Sequence, residues 1–128
     1  MMGEEIIIQF MSTLMSARTQ AHVFHLGTKG PGSFAAHKAL NEFYDEFLDV
    51  IDGFVESYQG KYGIVSGWGN VTLQDFQSVE QVRSYFTTLV ALIEKIRTVA
   101  FQDSYLQNQI DEMVHLIYSL LYKLTNLQ

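Results

Sequence analysis

A chain of 128 residues that is 48% hydrophobic, 13% aromatic and 17% charged carries too much apolar side chain to stay disordered. It is also long enough to bury a core as one domain without staples. Eight Lys and Arg against 14 Asp and Glu set the formal net charge at −6, which argues against an extended nucleic-acid footprint, because such binding draws on clustered cations. The absence of cysteine excludes a disulfide framework, a thiolate nucleophile and zinc–thiolate centres.

The start of the chain, Met1 to Ala17, holds Glu4 and Glu5 but no Lys or Arg. It lacks both the cationic segment of a signal peptide and a basic DNA-binding arm, and reads as untargeted. Apolar stretches are interrupted by polar residues well short of the roughly 18 that a membrane span requires. A soluble, cytoplasmic protein is the expectation. A single proline, Pro31, and long glycine-free stretches favour an all-α fold over a sandwich.

The first helix is predicted over about 4–26, where Ile7, Phe10, Met11, Leu14, Ala17, Ala21 and Phe24 recur at steps of three and four. Gly27, Gly30, Pro31 and Gly32 then supply a helix stop and a tight connection. Ser33 is a candidate N-cap for a second helix over about 34–59, with Leu40, Phe43, Phe47, Ile51, Phe54 and Tyr58 on one face. A glycine-rich connection follows from Gly60 to about Gln77. It contains a β-type piece, Tyr62-Gly63-Ile64-Val65, and Thr72-Leu73-Gln74-Asp75, which has the composition of a cap for one helical turn. Ser78-Val79-Glu80-Gln81 fits a capping box for a third helix to about Ala100, carrying Val82, Tyr85, Phe86, Leu89, Ile93 and Ile96. Asp103 is placed to cap a fourth, over about 104–125, with Leu106, Ile110, Met113, Ile117, Leu120, Leu121 and Leu124. Two short links and one long one predict a single-domain four-helix bundle whose second connection crosses its length, as in ferritin-like folds.

On the second helix His37, Asn41, Asp45, Asp52 and Glu56 fall within an arc of about 100° and form one polar stripe. The stripe reads as a solvated face or as a protein–protein boundary. His37 and Asp52 are about 22 Å apart along the helix and cannot share a metal within one chain. Two copies packed antiparallel about a two-fold axis would bring the histidine end of one stripe to the acidic end of the other, making two equivalent sites. The glycine-rich turn sets His25 beside His37. Two imidazoles with the partner's Asp52 and the partner's Glu56 form a mixed nitrogen and oxygen set that suits iron or another first-row divalent metal. His22 reads as a packing or supporting residue. A competing site within one chain joins His22 and His25, at i, i+3 on the first helix, with Glu112-Met113-Val114-His115 on the fourth, a Glu-x-x-His pair of the kind that di-iron bundles use, although no second such pair accompanies it.

The run His25-Leu26-Gly27-Thr28-Lys29-Gly30-Pro31-Gly32-Ser33-Phe34-Ala35-Ala36-His37 resembles the His-x3-[Lys/Arg]-Gly-Pro-x2-Phe-x2-His signature of the Dps miniferritins. The family's downstream positions fall here on Asn41, where it has an aspartate, and on Asp52 and Glu56. The resemblance implies a ferroxidase site at a two-fold interface, with His25 and His37 from one subunit and Asp52 and Glu56 from the other. It further implies a dodecameric shell in which iron(II) is oxidised, by peroxide or dioxygen, and stored. Asn41 removes one anionic ligand, which leaves Asp45 or water to substitute, and Leu26 stands where the family often has Trp. No lysine-rich tail is present, so DNA binding is not expected. Small proteins of this pattern also occur in phage genomes, which adds an infected cell or a virion as a setting. The alternative expectation is a ferritin-like structural or virion-associated assembly protein whose metal residues are vestigial or staple an interface.

Overall fold

The computed structural model describes residues 2–127, with Met2 described through its backbone alone. Its four helices are α1 (Met2–Gly27), α2 (Ser33–Tyr62), α3 (Val79–Ala100) and α4 (Ser104–Asn126). Most of the residues at helical spacing in the sequence become buried, while Tyr58, Tyr85, Ile96 and Leu121 pack half-buried at the margin of the core. Phe10, Met11, Leu14, Ala17, Ala21 and Phe24 of α1 meet Leu40, Phe43, Phe47, Ile51 and Phe54 of α2 in one core. Val82, Phe86 and Ile93 of α3 and Leu106, Ile110, Met113, Ile117, Leu120 and Leu124 of α4 close it from the other side.

Helix α1 packs on α2 and α3, and α4 packs on α2 and α3, so α1/α4 and α2/α3 are the two diagonals. At the end of the bundle where α1 begins, the foot, Phe10 and Phe54 touch edge to face with centroids 5.8 Å apart, and both meet Phe101 of the α3–α4 turn. At the opposite end, the head, Lys123 near the end of α4 bonds Glu42 near the start of α2 at 2.9 Å. The direction is therefore up, down, down, up, with α2 and α3 parallel.

Parallel diagonal helices need a connection that returns the full height of the bundle, and residues 63–78 supply it. Val65 starts at the foot, its N–H donating to Gln59 Oε1 at 3.1 Å. Gly69 N–H then donates to Ser12 Oγ at 2.9 Å. Higher up, the buried side chain of Gln20 accepts from Gln74 N–H at 2.7 Å and donates to Gln74 C=O at 2.9 Å, completing both backbone bonds of that residue as a neighbouring strand would. At the head Phe76 lies so close to Gly27 that a Cβ there would stand 2.7 Å from Phe76 Cβ. From Ile8 to Gly27 is about 28 Å of helix, and the 11 steps from Val65 to Phe76 reach about 36 Å at most, so this part of the crossover is close to extended.

Several local expectations change. Helix α2 runs through Gly60 to Tyr62, and Gly63, at φ 96, ends it. Among the described residues no strand forms, so Tyr62-Gly63-Ile64-Val65 is not a β piece, and Thr72-Leu73-Gln74-Asp75 makes no helical turn. The physical reason is that side chains of α1, α2 and α3 pin the segment at intervals, accepting from the amides of Val65, Gly69, Gln74 and Gln77. The capping box does form: Gln81 N–H donates to Ser78 Oγ at 3.0 Å, and Gln81 Oε1 accepts from the amides of Ser78 and Gln77. Gly32, at φ 79, occupies the N-cap of α2 in place of Ser33, whose hydroxyl donates back to the Lys29 carbonyl. Asp103 sits at the N-cap of α4 without capping it. Its carboxylate accepts from Lys61 Nζ and from Tyr62 Oη, each at 2.6 Å.

Candidate functional site: a histidine pair at the head of the hairpin

The α1–α2 hairpin turns in five residues. Gly30, at φ 91, and Gly32, at φ 79, take the left-handed backbone that other residues resist, and Ser33 N–H closes the turn onto Gly30 C=O at 3.2 Å. This brings the last turn of α1 against the first turn of α2, with the buried Ala21 and Ala36 keeping the helices close. His25 and His37 meet there with ring centroids 3.7 Å apart and planes 22° from parallel.

The pairing is reciprocal. His25 Nδ1 donates to the His37 carbonyl at 2.7 Å, and His37 Nδ1 donates to the His25 carbonyl at 3.0 Å. A carbonyl oxygen only accepts, so in the neutral rings both protons reside on Nδ1 and both Nε2 atoms hold a lone pair. No hydrogen bond occupies either Nε2 among the described residues. Thr28 Oγ1 steadies the arrangement, donating to the His25 carbonyl at 2.9 Å and lying 3.1 Å from His37 Nδ1. The His25 carbonyl is one of those left free at a helix C-terminus, which is why it can serve a side chain.

Below the pair, His22 stacks on Tyr44 at 4.3 Å, and His25 meets Tyr44 edge to face at 5.5 Å. On the same ring lies the Arg18 guanidinium, its Cζ 5.5 Å from the centroid. Arg18, His22 and His25 recur at steps of four and three on α1, so the spacing that marks the two histidines in the sequence also places Arg18 on their face.

The acidic residues of the stripe lie elsewhere. Asn41, Asp45, Asp52 and Glu56 are exposed on α2, with Asp52 about 22 Å along the helix from His37. Among the described residues the chain offers none of Asp45, Asp49, Asp52 and Glu56 an ion pair. No three His, Asp or Glu side chains converge within one chain among those residues. Glu112 and His115 are exposed on α4, on the side away from its buried Leu106, Ile110, Met113 and Ile117. The single-chain Glu-x-x-His site in the bundle core is therefore not assembled.

The comparisons with known proteins point away from the miniferritin resemblance. Over 55 residues the chain is 38% identical to an uncharacterized 14.6 kDa protein from the mobD-ri intergenic region of Enterobacteria phage T4. That stretch is 43% of this chain and 41% of the relative, so the similarity spans less than half of either. No solved structure matches. None of the described helices is long and apolar enough to cross a membrane. The expected membership of the Dps miniferritins is corrected by the family match, which takes in the whole His25 to Glu56 motif. The physical reason is that the twelve-residue step between the histidines is set by a tight hairpin that stacks two imidazoles, a geometry not reserved to one family. The matching model, of a family of unknown function (DUF5856), covers residues 25–124, and it is to this family that the chain belongs.

Proposed function

We propose that the chain is a subunit of a homo-oligomer that binds a first-row divalent metal, iron(II) foremost, where two protomers meet about a two-fold axis. His25 and His37 of one protomer would bind through Nε2, and the partner's Asp52 and the partner's Glu56 would supply the oxygens. The observation that carries this reading is the reciprocal pair of Nδ1–H···O=C bonds. A metal-binding histidine ordinarily donates its other ring N–H to a carbonyl or carboxylate, which fixes the tautomer and aims the ring. Here each residue of the pair does this for the other. Imidazole with carboxylate favours iron, manganese or zinc over magnesium and calcium. Oxidation of the bound iron(II) by peroxide or dioxygen, with storage of the ferric product, is the activity this set would support. On topology alone, the long crossover between parallel α2 and α3 supports a ferritin-like arrangement.

A second reading is an assembly protein, in a phage particle or an infected cell, whose metal residues only staple an interface. Asn41 favours it, since a neutral amide stands one turn below His37 where an anionic ligand would serve a redox centre better.

The test is stopped-flow oxidation of iron(II), loaded anaerobically and mixed with peroxide or dioxygen, for wild type, His37→Ala and Asp52→Ala. Saturable oxidation lost in both variants is expected. Mixing the two inactive variants with subunit exchange should restore about a quarter of wild-type activity, because half the dimers then carry one intact site of two. Oxidation no faster than the protein-free control would overturn the catalytic reading and leave the assembly one.

A further inference from the structure

The outer face of α1 and α2 changes along its length, from imidazoles and Lys38 toward the head to carboxylates toward the foot. His22, His25, His37 and Lys38 lie toward the head, Asp49, Asp52 and Glu56 toward the foot, and Arg18 and Asp45 at one height between them. It also bears exposed apolar side chains beside the histidines, with Leu26 at 72% and Phe34 at 75% exposure. A face with this polarity is complementary to itself in one sense only, antiparallel, and a second copy of the chain is the occupant it fits.

The register of such a pair follows from the proposed metal site, on which this inference rests. If His37 faces the midpoint of the partner's Asp52 and the partner's Glu56, position i of α2 faces position 91 − i of the other α2. The two-fold axis then crosses α2 between Asp45 and Glu46, and Asp45 comes close to the partner's Asp45. Two carboxylates at an axis repel unless a cation stands between them.

Arg18 is the cation at that height. Its guanidinium lies over Tyr44, the residue next to Asp45. Its Nε is buried with no hydrogen-bond partner, and no carboxylate within the chain pairs with it among the described residues. Nε is screened within the protomer, so it is the two terminal nitrogens of the guanidinium, which make no hydrogen bond or ion pair among the described residues of the half-buried Arg18, that are open to a carboxylate from outside the protomer. We propose that Arg18 pairs with the partner's Asp45 across the two-fold axis, and that this symmetric four-charge cluster selects and orients the homodimer.

The experiment is analytical ultracentrifugation of full-length wild type, Arg18→Glu, Asp45→Arg and the double variant, with circular dichroism to verify folding. Each single variant should weaken dimerisation at least tenfold, since each places like charges across the axis. The double variant should return to within a few-fold of wild type. Asp45 is exposed, so Asp45→Arg and its rescue remain informative even if Arg18→Glu folds poorly alone. A wild-type dimer unaffected by Asp45→Arg, or single losses that the double variant does not rescue, would overturn the Arg18–Asp45 pair while leaving the two-fold assembly standing. A monomeric wild type at high concentration would overturn both.

Discussion

Each imidazole of the His25–His37 pair is oriented by the backbone carbonyl of the other residue, so loss of one ring removes the stacking contact but leaves the carbonyl that holds its neighbour. The geometry makes a direct spectroscopic prediction. Long-range 1H–15N correlation of the neutral rings should show Nδ1 protonated and Nε2 bare in both residues, and an Nε2–H signal from either would contradict the pairing. Thr28→Val removes the hydroxyl shared by the two, and should cost about 1 kcal/mol in urea denaturation. The sequence made the histidines legible as candidates, since a tight glycine turn with a histidine on each side has few other readings. It did not reveal Thr28, because a threonine after a helix end is common and its role depends on which carbonyls the turn leaves free.

At the scale of elements, the foot of the bundle is clasped by Asp103, which joins the end of α2 to the start of α4. The hydrogen bond from Lys61, and after it that from Tyr62, holds the Asp103 carboxyl below the usual carboxylate range. The same bond raises Lys61 above the ordinary lysine range, and Tyr62 above the ordinary tyrosine range. A carboxyl lowered by folding contributes stability that is complete above its unfolded value and is lost as pH falls through the folded one. The raised Lys61 and Tyr62 contribute below their unfolded values and lose that contribution as pH rises through the folded ones. Wild type should therefore melt above Asp103→Asn at neutral pH, with the difference shrinking as pH falls below about 4. A difference independent of acid would show that the carboxylate charge does not carry the clasp. In the sequence Asp103 reads as an N-cap, and its position is indeed the cap, but a partner 42 residues away claimed the side chain.

Across the whole molecule one core joins all four helices, and an aromatic cluster closes it at the foot. Phe54 is fully buried and meets both Phe10 and Phe101. Phe54→Ala should cost about 3–5 kcal/mol. Its thermal transition, followed by far-ultraviolet and near-ultraviolet circular dichroism, should move as one, because no helix has a core of its own. Separate transitions for the two hairpins would contradict a single cooperative core. The crossover is the exception to helix-on-helix packing, since it is held mainly by side chains of Ser12, Gln20 and Gln59 standing in for backbone partners.

The sequence by itself determined the four helices, their buried faces, the tight first turn and the capping box at Ser78. Each follows from spacing within a few turns of chain, or from residue types whose backbone preferences are local. It also singled out the stripe from His37 to Glu56, because charge and periodicity on one helix need no partner to be seen. Only the tertiary structure decided the path of residues 63–78, the engagement of Asp103, and the removal of Glu112 and His115 from the core. It alone showed that the two histidines hold each other through their backbones and that Arg18 lies over Tyr44 with no carboxylate partner among the described residues. These depend on groups tens of residues apart, and no local pattern encodes which buried amide or charge a distant side chain will satisfy.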